Sequence, residues 1–126
     1  MNEHLNHREL LIKKAKEDIE TAESLIKLSN FSQEIVLFHC QQAVEKGLKA
    51  FLDAQNVIYP KTHDLETLLS SCIEKDKSFE NLNFITSFTP YAVEIRYEET
   101  VSLSTEEVVD IVSQAKEALD FILSKC

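Results

Sequence analysis

The most informative stretch of this sequence is FHCQQAVEKGLKAFL, residues 38–52. Its apolar residues spread around much of a helical circumference, as expected for a central helix that neighbours cover on several sides. The run also carries more polar side chains than an amphipathic helix needs to stay soluble: Gln41, Gln42, Glu45, Lys46 and Lys49. Gly47 costs about 1 kcal/mol relative to alanine inside a helix. We therefore expect another backbone to come close to Gly47.

This central helix, helix two, is predicted to extend from about Gln33 to Ala54. Ser32 is its expected N-cap, because a serine hydroxyl accepts a hydrogen bond from the free amides of the first turn. Before it, apolar residues at steps of three and four predict helix one from Leu11 to Ile26. Both helices carry more apolar positions than one small bundle covers, which predicts a homodimer.

The residues after helix two predict a loop followed by helix three. Residues 56–61 contain Tyr59-Pro60 and form the clearest loop of the sequence. Thr62 is the expected cap of helix three, and Asp64 and Glu66 lie in the first turn, where the helix dipole favours negative charge. Apolar residues then recur with helical spacing: Leu65, Leu68, Leu69, Cys72 and Ile73.

Two further helical segments complete the chain. Leu82, Ile85 and Phe88 suggest a helix that stops or kinks near Pro90. Thr89-Pro90 also fits an N-cap followed by proline at the first helical position, and we favour a helix that restarts there and continues through Arg96. Ser104-Thr105-Glu106-Glu107 is a capping-box pattern that predicts the last helix.

Composition supports a single all-α domain. A chain of 126 residues fits one domain, residues 1–126, and one glycine with two prolines leaves little material for hairpins. We predict an antiparallel, up-and-down bundle of about five helices. The sequence contains no apolar run of roughly 20 residues, the length that crosses a bilayer. Its first eight residues do not resemble a signal peptide, so we expect a cytoplasmic protein without membrane contact.

The cysteines and the charge exclude several classes of site. Cys40, Cys72 and Cys126 are an odd, widely spaced set without a C-x-x-C pair, which argues for reduced thiols and against structural zinc. A net charge of −9 repels phosphate backbones, so a nucleic-acid partner is not expected. His39 and Cys40 do not form a convincing metal site, because adjacent helical residues diverge by about 100°. His4 and His7 are also a weak signal, because isolated histidines are common near chain termini. We predict no metal, cofactor or catalytic residues.

Three segments carry candidate ligand-binding residues, each with an ordinary alternative. His63 beside a helix start fits anion binding, or it packs next to a capped helix end. Lys46 and Lys49 are neighbours that could meet one phosphate group, while Glu45 and Lys49 also have the spacing of a surface ion pair. Arg96-Tyr97 offers a guanidinium and a ring for stacking, or a pairing of Arg96 with a nearby carboxylate. Gln41 and Gln42 could hydrogen-bond the edge of a base, or they could bridge to neighbouring helices across a buried interface.

These segments, in this order, resemble the HEPN domain, named for higher eukaryotes and prokaryotes nucleotide-binding. The resemblance extends from about Leu10 to about Leu123 and rests on residues 38–52, on Thr62-His63-Asp64-Leu65 and on Arg96-Tyr97. Ribonuclease members of this superfamily carry a histidine four to six residues after an arginine. Here those positions after Arg96 are residues 100–102, a Thr-Val-Ser run, so the catalytic histidine is absent.

The resemblance implies a non-catalytic HEPN protein that binds a nucleotide or is the accessory subunit of a minimal nucleotidyltransferase, in a toxin–antitoxin-type module. The alternatives are a ribonuclease with another arrangement around Arg96, and a bundle that only binds a partner. We also predict that Arg96, Tyr97, Lys46 and His63 lie close together as one anionic-ligand site. The alternative is that Arg96 is tied to helix two through a carboxylate such as Glu45.

Overall fold

The computed structural model describes residues 5–92 and 103–126 of the chain, and all of their regular structure is helical. Four α-helices and one 3₁₀ segment follow one another in this order: α1 His7–Leu25, α2 Gln33–Ala54, α3 Leu65–Lys75, the 3₁₀ segment Lys77–Ala92 and α4 Thr105–Ser124. The predicted all-α bundle of about five helices is therefore confirmed. No helix within these residues combines the length and apolar character needed to cross a membrane.

The helix starts follow from their capping residues. α2 begins and ends where predicted, and the Ser32 hydroxyl accepts from the Ile35 amide. The capping box predicted at Ser104 and Glu107 is confirmed. α1 begins four residues before the predicted Leu11, because Asn6 and Glu9 form a second capping box that the apolar spacing did not reveal.

The cap of α3 differs from the prediction. Asp64, not Thr62, is the N-cap, and its carboxylate accepts from the Glu66 amide at 3.2 Å. The Thr62 hydroxyl instead accepts from the Asp64 amide at 3.0 Å, which supports the residue that caps the helix. Aspartate and threonine are both good capping residues, so the sequence alone did not separate these two positions.

The restart predicted at Thr89-Pro90 is also wrong within the described residues. The 3₁₀ segment continues through Pro90, whose fixed φ of about −65° suits 3₁₀ geometry. The Thr89 hydroxyl accepts from the Leu65 amide at 3.1 Å, so it satisfies the start of α3 rather than of a new helix. The predicted continuation to Arg96 lies outside the described residues.

α2 is the centre of the core. Twelve of its residues are buried, and it packs against α1, α3, the 3₁₀ segment and α4. A Cβ added at Gly47 would lie 2.8 Å from Leu119 Cδ1 and 3.4 Å from Ile122 Cγ2. The close approach predicted at Gly47 is present, but side chains of α4 make it rather than a backbone.

Contacts at the start and in the second half of α2 set the direction of α4. The Gln33 side-chain amide donates to the Leu103 carbonyl and its oxygen accepts from the Leu103 amide at 3.2 Å. This pair holds the start of α4 beside the start of α2, while Leu119 lies against Gly47 further along. α4 therefore runs parallel to α2.

The segment between α2 and α3, residues 55–64, folds back along α2, and we call it the return loop. Asn56 turns the chain with a positive φ of 58°, a conformation that asparagine tolerates well. The Val57 amide then donates to the Leu52 carbonyl at 2.9 Å. Further along, Tyr59 lies against Lys49 and His63 reaches Glu45. The return loop thus brings the predicted residue His63 onto the middle of α2.

Candidate functional site

Polar side chains form a half-buried stripe along α2. His39, Gln42, Lys46, Lys49 and Asp53 follow one another at steps of three and four, and each is of intermediate exposure. Residues with this spacing share one face of a helix. Two acidic side chains next to the stripe, Asp18 and Glu45, each bind one lysine and one histidine, so the polar residues fall into two clusters.

The Asp18 cluster joins α1 to α2. Asp18 lies on α1, and its Oδ1 accepts from His39 Nδ1 at 2.8 Å. Its other oxygen, Oδ2, accepts from Lys46 Nζ at 2.5 Å. All three side chains are at least three-quarters buried, with exposed fractions of 25% for His39 and Lys46 and 12% for Asp18. Lys46 therefore has a counter-ion on α1.

The Glu45 cluster joins α2 to the return loop. Glu45 Oε2 accepts from Lys49 Nζ at 2.8 Å, one turn along the same helix. Glu45 Oε1 accepts from His63 Nδ1 at 2.8 Å and from the Gln41 side-chain amide at 2.9 Å. The Glu45–Lys49 ion pair that the spacing suggested is thus present. The site hypothesis for Lys46 and Lys49 placed them on one ligand, whereas here each ammonium group is held by a different carboxylate.

Glu45 is ionised in spite of its burial. Burial by itself raises the pKa of its carboxyl, but hydrogen bonds from Lys49, Gln41 and His63, with the positive charge of Lys49, outweigh this effect and lower the pKa below its usual value. Its side chain is only 4% exposed. A buried charge of this kind is stable only when its oxygens are fully hydrogen-bonded, as they are here.

Two glutamines extend the Glu45 cluster along α2. Gln41 is completely buried, and its amide donates both to Glu45 Oε1 and to the His63 carbonyl, at 3.3 Å. Gln42 donates to Gln41 Oε1 at 2.7 Å, which fixes the orientation of the Gln41 amide. Of the two roles considered for Gln41, the buried bridge between α2 and the chain before α3 is the one present.

His63 differs from the rest of the cluster in its exposure. Its ring nitrogen Nδ1 and its carbonyl are bound by Glu45 and Gln41, yet its side chain is 68% exposed. The ring therefore has a fixed orientation while its Nε2 edge lies on the opposite side from the carboxylate. An imidazole held in this way can accept a hydrogen bond, donate one when protonated, or transfer a proton.

An aromatic contact links this site to the start of α1. Lys49 Nζ lies 5.8 Å from the centre of the Tyr59 ring, within cation–π range. The Tyr59 hydroxyl is hydrogen-bonded to His7 Nε2 at 2.7 Å, and the two rings stack. The position of the return loop is therefore set by α1 as well as by α2.

The remaining predicted site residues, Arg96 and Tyr97, lie outside the described residues. The hypothesis that they form one site with Lys46 and His63 stays a prediction, and so does the alternative pairing of Arg96 with Glu45. Within the described residues, no three histidine, cysteine or acidic side chains are grouped to hold a metal ion. Burial raises the pKa of the Cys40 and Cys72 thiols to about 12, so both are unreactive near neutral pH.

Sequence reasoning missed Asp18 and Tyr59 as members of these clusters. Asp18 lies 28 residues from its partner Lys46, and no local spacing indicates such a pair. The i, i+4 spacing of Gln41 and Glu45 was a usable signal, because a glutamine and an acidic residue at that distance meet on one helix face. Their joint contact with His63 depends on the path of the return loop.

Comparison with known proteins places this fold in a family. The sequence profile described as "HEPN domain" matches residues 8–125. A protein of Methanocaldococcus jannaschii described as "Putative toxin MJ1304" is 36% identical over 56 residues, which are 44% of this chain. The match spans 36% of the length of that relative. Because the profile covers nearly the whole helical bundle, the chain belongs to the HEPN domain family.

Proposed function

We propose that this protein is the HEPN subunit of a toxin–antitoxin-type module, in which it binds a nucleotide or acts as the accessory subunit of a minimal nucleotidyltransferase. Family membership and the toxin-like relative support the module. The observation that carries the binding role is the Glu45 cluster, which holds an exposed imidazole in a fixed orientation above a buried, ionised carboxylate. Arg96, Tyr97, Lys46 and Lys49 are the other candidate ligand contacts.

The binding role is tested by titrating the protein with ATP in a calorimeter. We expect saturable binding that an Arg96→Ala substitution weakens at least tenfold. Arg8→Ala is the matched control, because Arg8 is the only other arginine of the chain and belongs to none of the proposed contacts. Equal ATP affinity of the two variants would show that Arg96 does not contact the ligand. Absence of ATP binding, together with no co-purification of a nucleotidyltransferase from a neighbouring gene, would contradict the proposal.

We propose further that the protein does not cleave RNA. General acid–base cleavage of the family type uses a histidine four to six residues after the arginine, and residues 100–102 supply none after Arg96. Structured and single-stranded RNA should therefore remain intact after prolonged incubation. Cleavage that disappears in Arg96→Ala would favour the ribonuclease alternative.

A homodimer is part of this proposal. Leu5 and Leu10, at the start of α1, are 41% and 42% exposed, and Leu28 after α1 is 58% exposed. Light scattering at about 50 µM should give twice the monomer mass of 14.4 kDa. Leu10→Asp should shift the protein towards monomer, whereas Val109→Asp on α4, also exposed, should not. A monomeric mass for the unmodified protein would contradict this expectation.

We place the protein in the cytoplasm. Cys40, Cys72 and Cys126 are all unpaired, which supports a reducing compartment.

A further inference from the structure

Two buried polar side chains hold His63 at the protein surface. Among the described residues, Gln41 and Glu45 are the only buried polar or charged residues, with whole-residue exposures of 0% and 3%. Both bind His63, one through its carbonyl and the other through its ring. The buried polar side chains of the described residues therefore both hydrogen-bond the same surface histidine.

A purely structural tie does not account for this arrangement. Burying a carboxylate costs several kcal/mol before its partners compensate, on the order of other buried ions in proteins. A structural histidine would also bury its ring, as His39 does in the Asp18 cluster, where 25% is exposed. The His63 ring is 68% exposed, so its apolar surface contributes little to packing. Fixing an exposed ring by buried groups is the arrangement expected of a side chain that meets a ligand.

The charges around His63 determine which ligand the ring would attract. Glu45 and Lys49 form an ion pair, so their charges cancel and this pair does not repel an anion. The Asp64 carboxylate accepts hydrogen bonds from the Glu66 amide and the Thr67 hydroxyl, and the return loop also carries the exposed, positively charged Lys61. Tyr59, the other titratable group of the return loop, is uncharged near neutral pH because burial, with the negative charge of Asp53, raises its pKa.

We infer that His63 binds the dianionic phosphate group of a phosphate monoester through Nε2, and that it takes up a proton when it does so. This inference rests on the proposed nucleotide-binding function and specifies its ligand as a terminal phosphate rather than a phosphodiester. A phosphate oxygen binds Nε2 most strongly when that nitrogen carries a proton, because the hydrogen bond then joins an imidazolium to an anion. The Coulomb attraction to a dianion is twice that to a monoanion at the same distance, so a phosphate monoester should bind more tightly than a diester. The ionised Glu45 then stabilises the imidazolium from the Nδ1 side.

The test is calorimetric titration of the full chain with inorganic phosphate, AMP and 3′,5′-cyclic AMP at pH 8, where the first two are mostly dianionic and release little proton of their own on binding. The titrations are repeated in buffers of different ionisation enthalpy, and the dependence of the binding enthalpy on the buffer gives the number of protons exchanged. We expect inorganic phosphate and AMP to bind with uptake of a proton, and cyclic AMP, a monoanionic diester, to bind at least tenfold more weakly. His63→Gln should lose the binding and the proton uptake. His39→Gln should retain both, since His39 binds a carboxylate through Nδ1 in the same way but lies in the Asp18 cluster.

A measurement without a variant guards against misfolding of His63→Gln. In the NMR spectrum of the unmodified protein, the ring resonances of His63 should shift on addition of phosphate, and those of His39 should not. Equal affinity for AMP and cyclic AMP, unchanged binding in a folded His63→Gln, or no phosphate binding at 10 mM would each overturn the inference. ATP binding that is independent of His63 would leave the proposed function standing without it. Phosphate binding with proton uptake but no preference for AMP would support the inference and count against a nucleotide ligand.

Discussion

Replacement of Phe79 by alanine is expected to lower the free energy of unfolding by about 3–5 kcal/mol, as for other large aromatic residues removed from a core. Phe79 belongs to the 3₁₀ segment and is completely buried. The centre of its ring lies 4.4 Å from that of Phe51 on α2 and 5.4 Å from that of Phe121 on α4. Its removal would leave a cavity where three helical elements meet. Urea denaturation followed by circular dichroism measures the change.

Phe84 is the matched control for this prediction. It is a phenylalanine of the same 3₁₀ segment but is 40% exposed. Phe84→Ala should change the free energy of unfolding by less than about 1 kcal/mol. Similar losses in the two variants would show that the 3₁₀ segment does not pack through Phe79 as described.

Glu45→Gln is expected to lower the free energy of unfolding by about 3 kcal/mol at pH 7, because it leaves the charge of Lys49 without a partner in a poorly solvated position. The Lys49 side chain is only 16% exposed, so water does not replace the lost carboxylate. Glu117→Gln on α4 removes an exposed carboxylate and should change the stability by less than about 0.5 kcal/mol.

The effect of Glu45→Gln on the free energy of unfolding should become smaller at low pH. The pKa of the Glu45 carboxyl is lowered on folding, so its contribution is complete above the unfolded value of about 4.3 and is lost as pH falls through the folded value. The difference between the unmodified protein and Glu45→Gln should therefore shrink as the pH falls below about 4. A difference that does not shrink between about pH 4 and pH 2 would contradict an ionised Glu45.

Local rules account for most of the helices in this fold. The capping box at Ser104 and the bounds of α2 were predictable, because capping and apolar spacing act over a few residues. The fate of Thr89-Pro90 was not, since the Thr89 hydroxyl binds the Leu65 amide, 24 residues away. The sequence offered two local interpretations there, and a tertiary contact decided between them.

The candidate site was predictable in its residues but not in its connections. His63, Lys46 and Lys49 were selected from their chemistry, and the Glu45–Lys49 pair followed from its spacing. The link from Glu45 to His63 could not be inferred, because the backward path of the return loop brings together residues 18 positions apart. The same holds for Asp18, whose place between His39 and Lys46 depends on how α1 packs against α2.

The backward path of the return loop makes its length part of the site. Surface loops usually accept insertions and deletions at small cost. Here Tyr59 is fixed by Lys49 and His7, and four residues later His63 is fixed by Glu45 and Gln41. One residue of extended chain spans about 3.3–3.6 Å, more than the length of a hydrogen bond. Natural variation in loop length should therefore be confined to residues 55–58, where the fully exposed Ile58 lies, and should be absent between Tyr59 and His63.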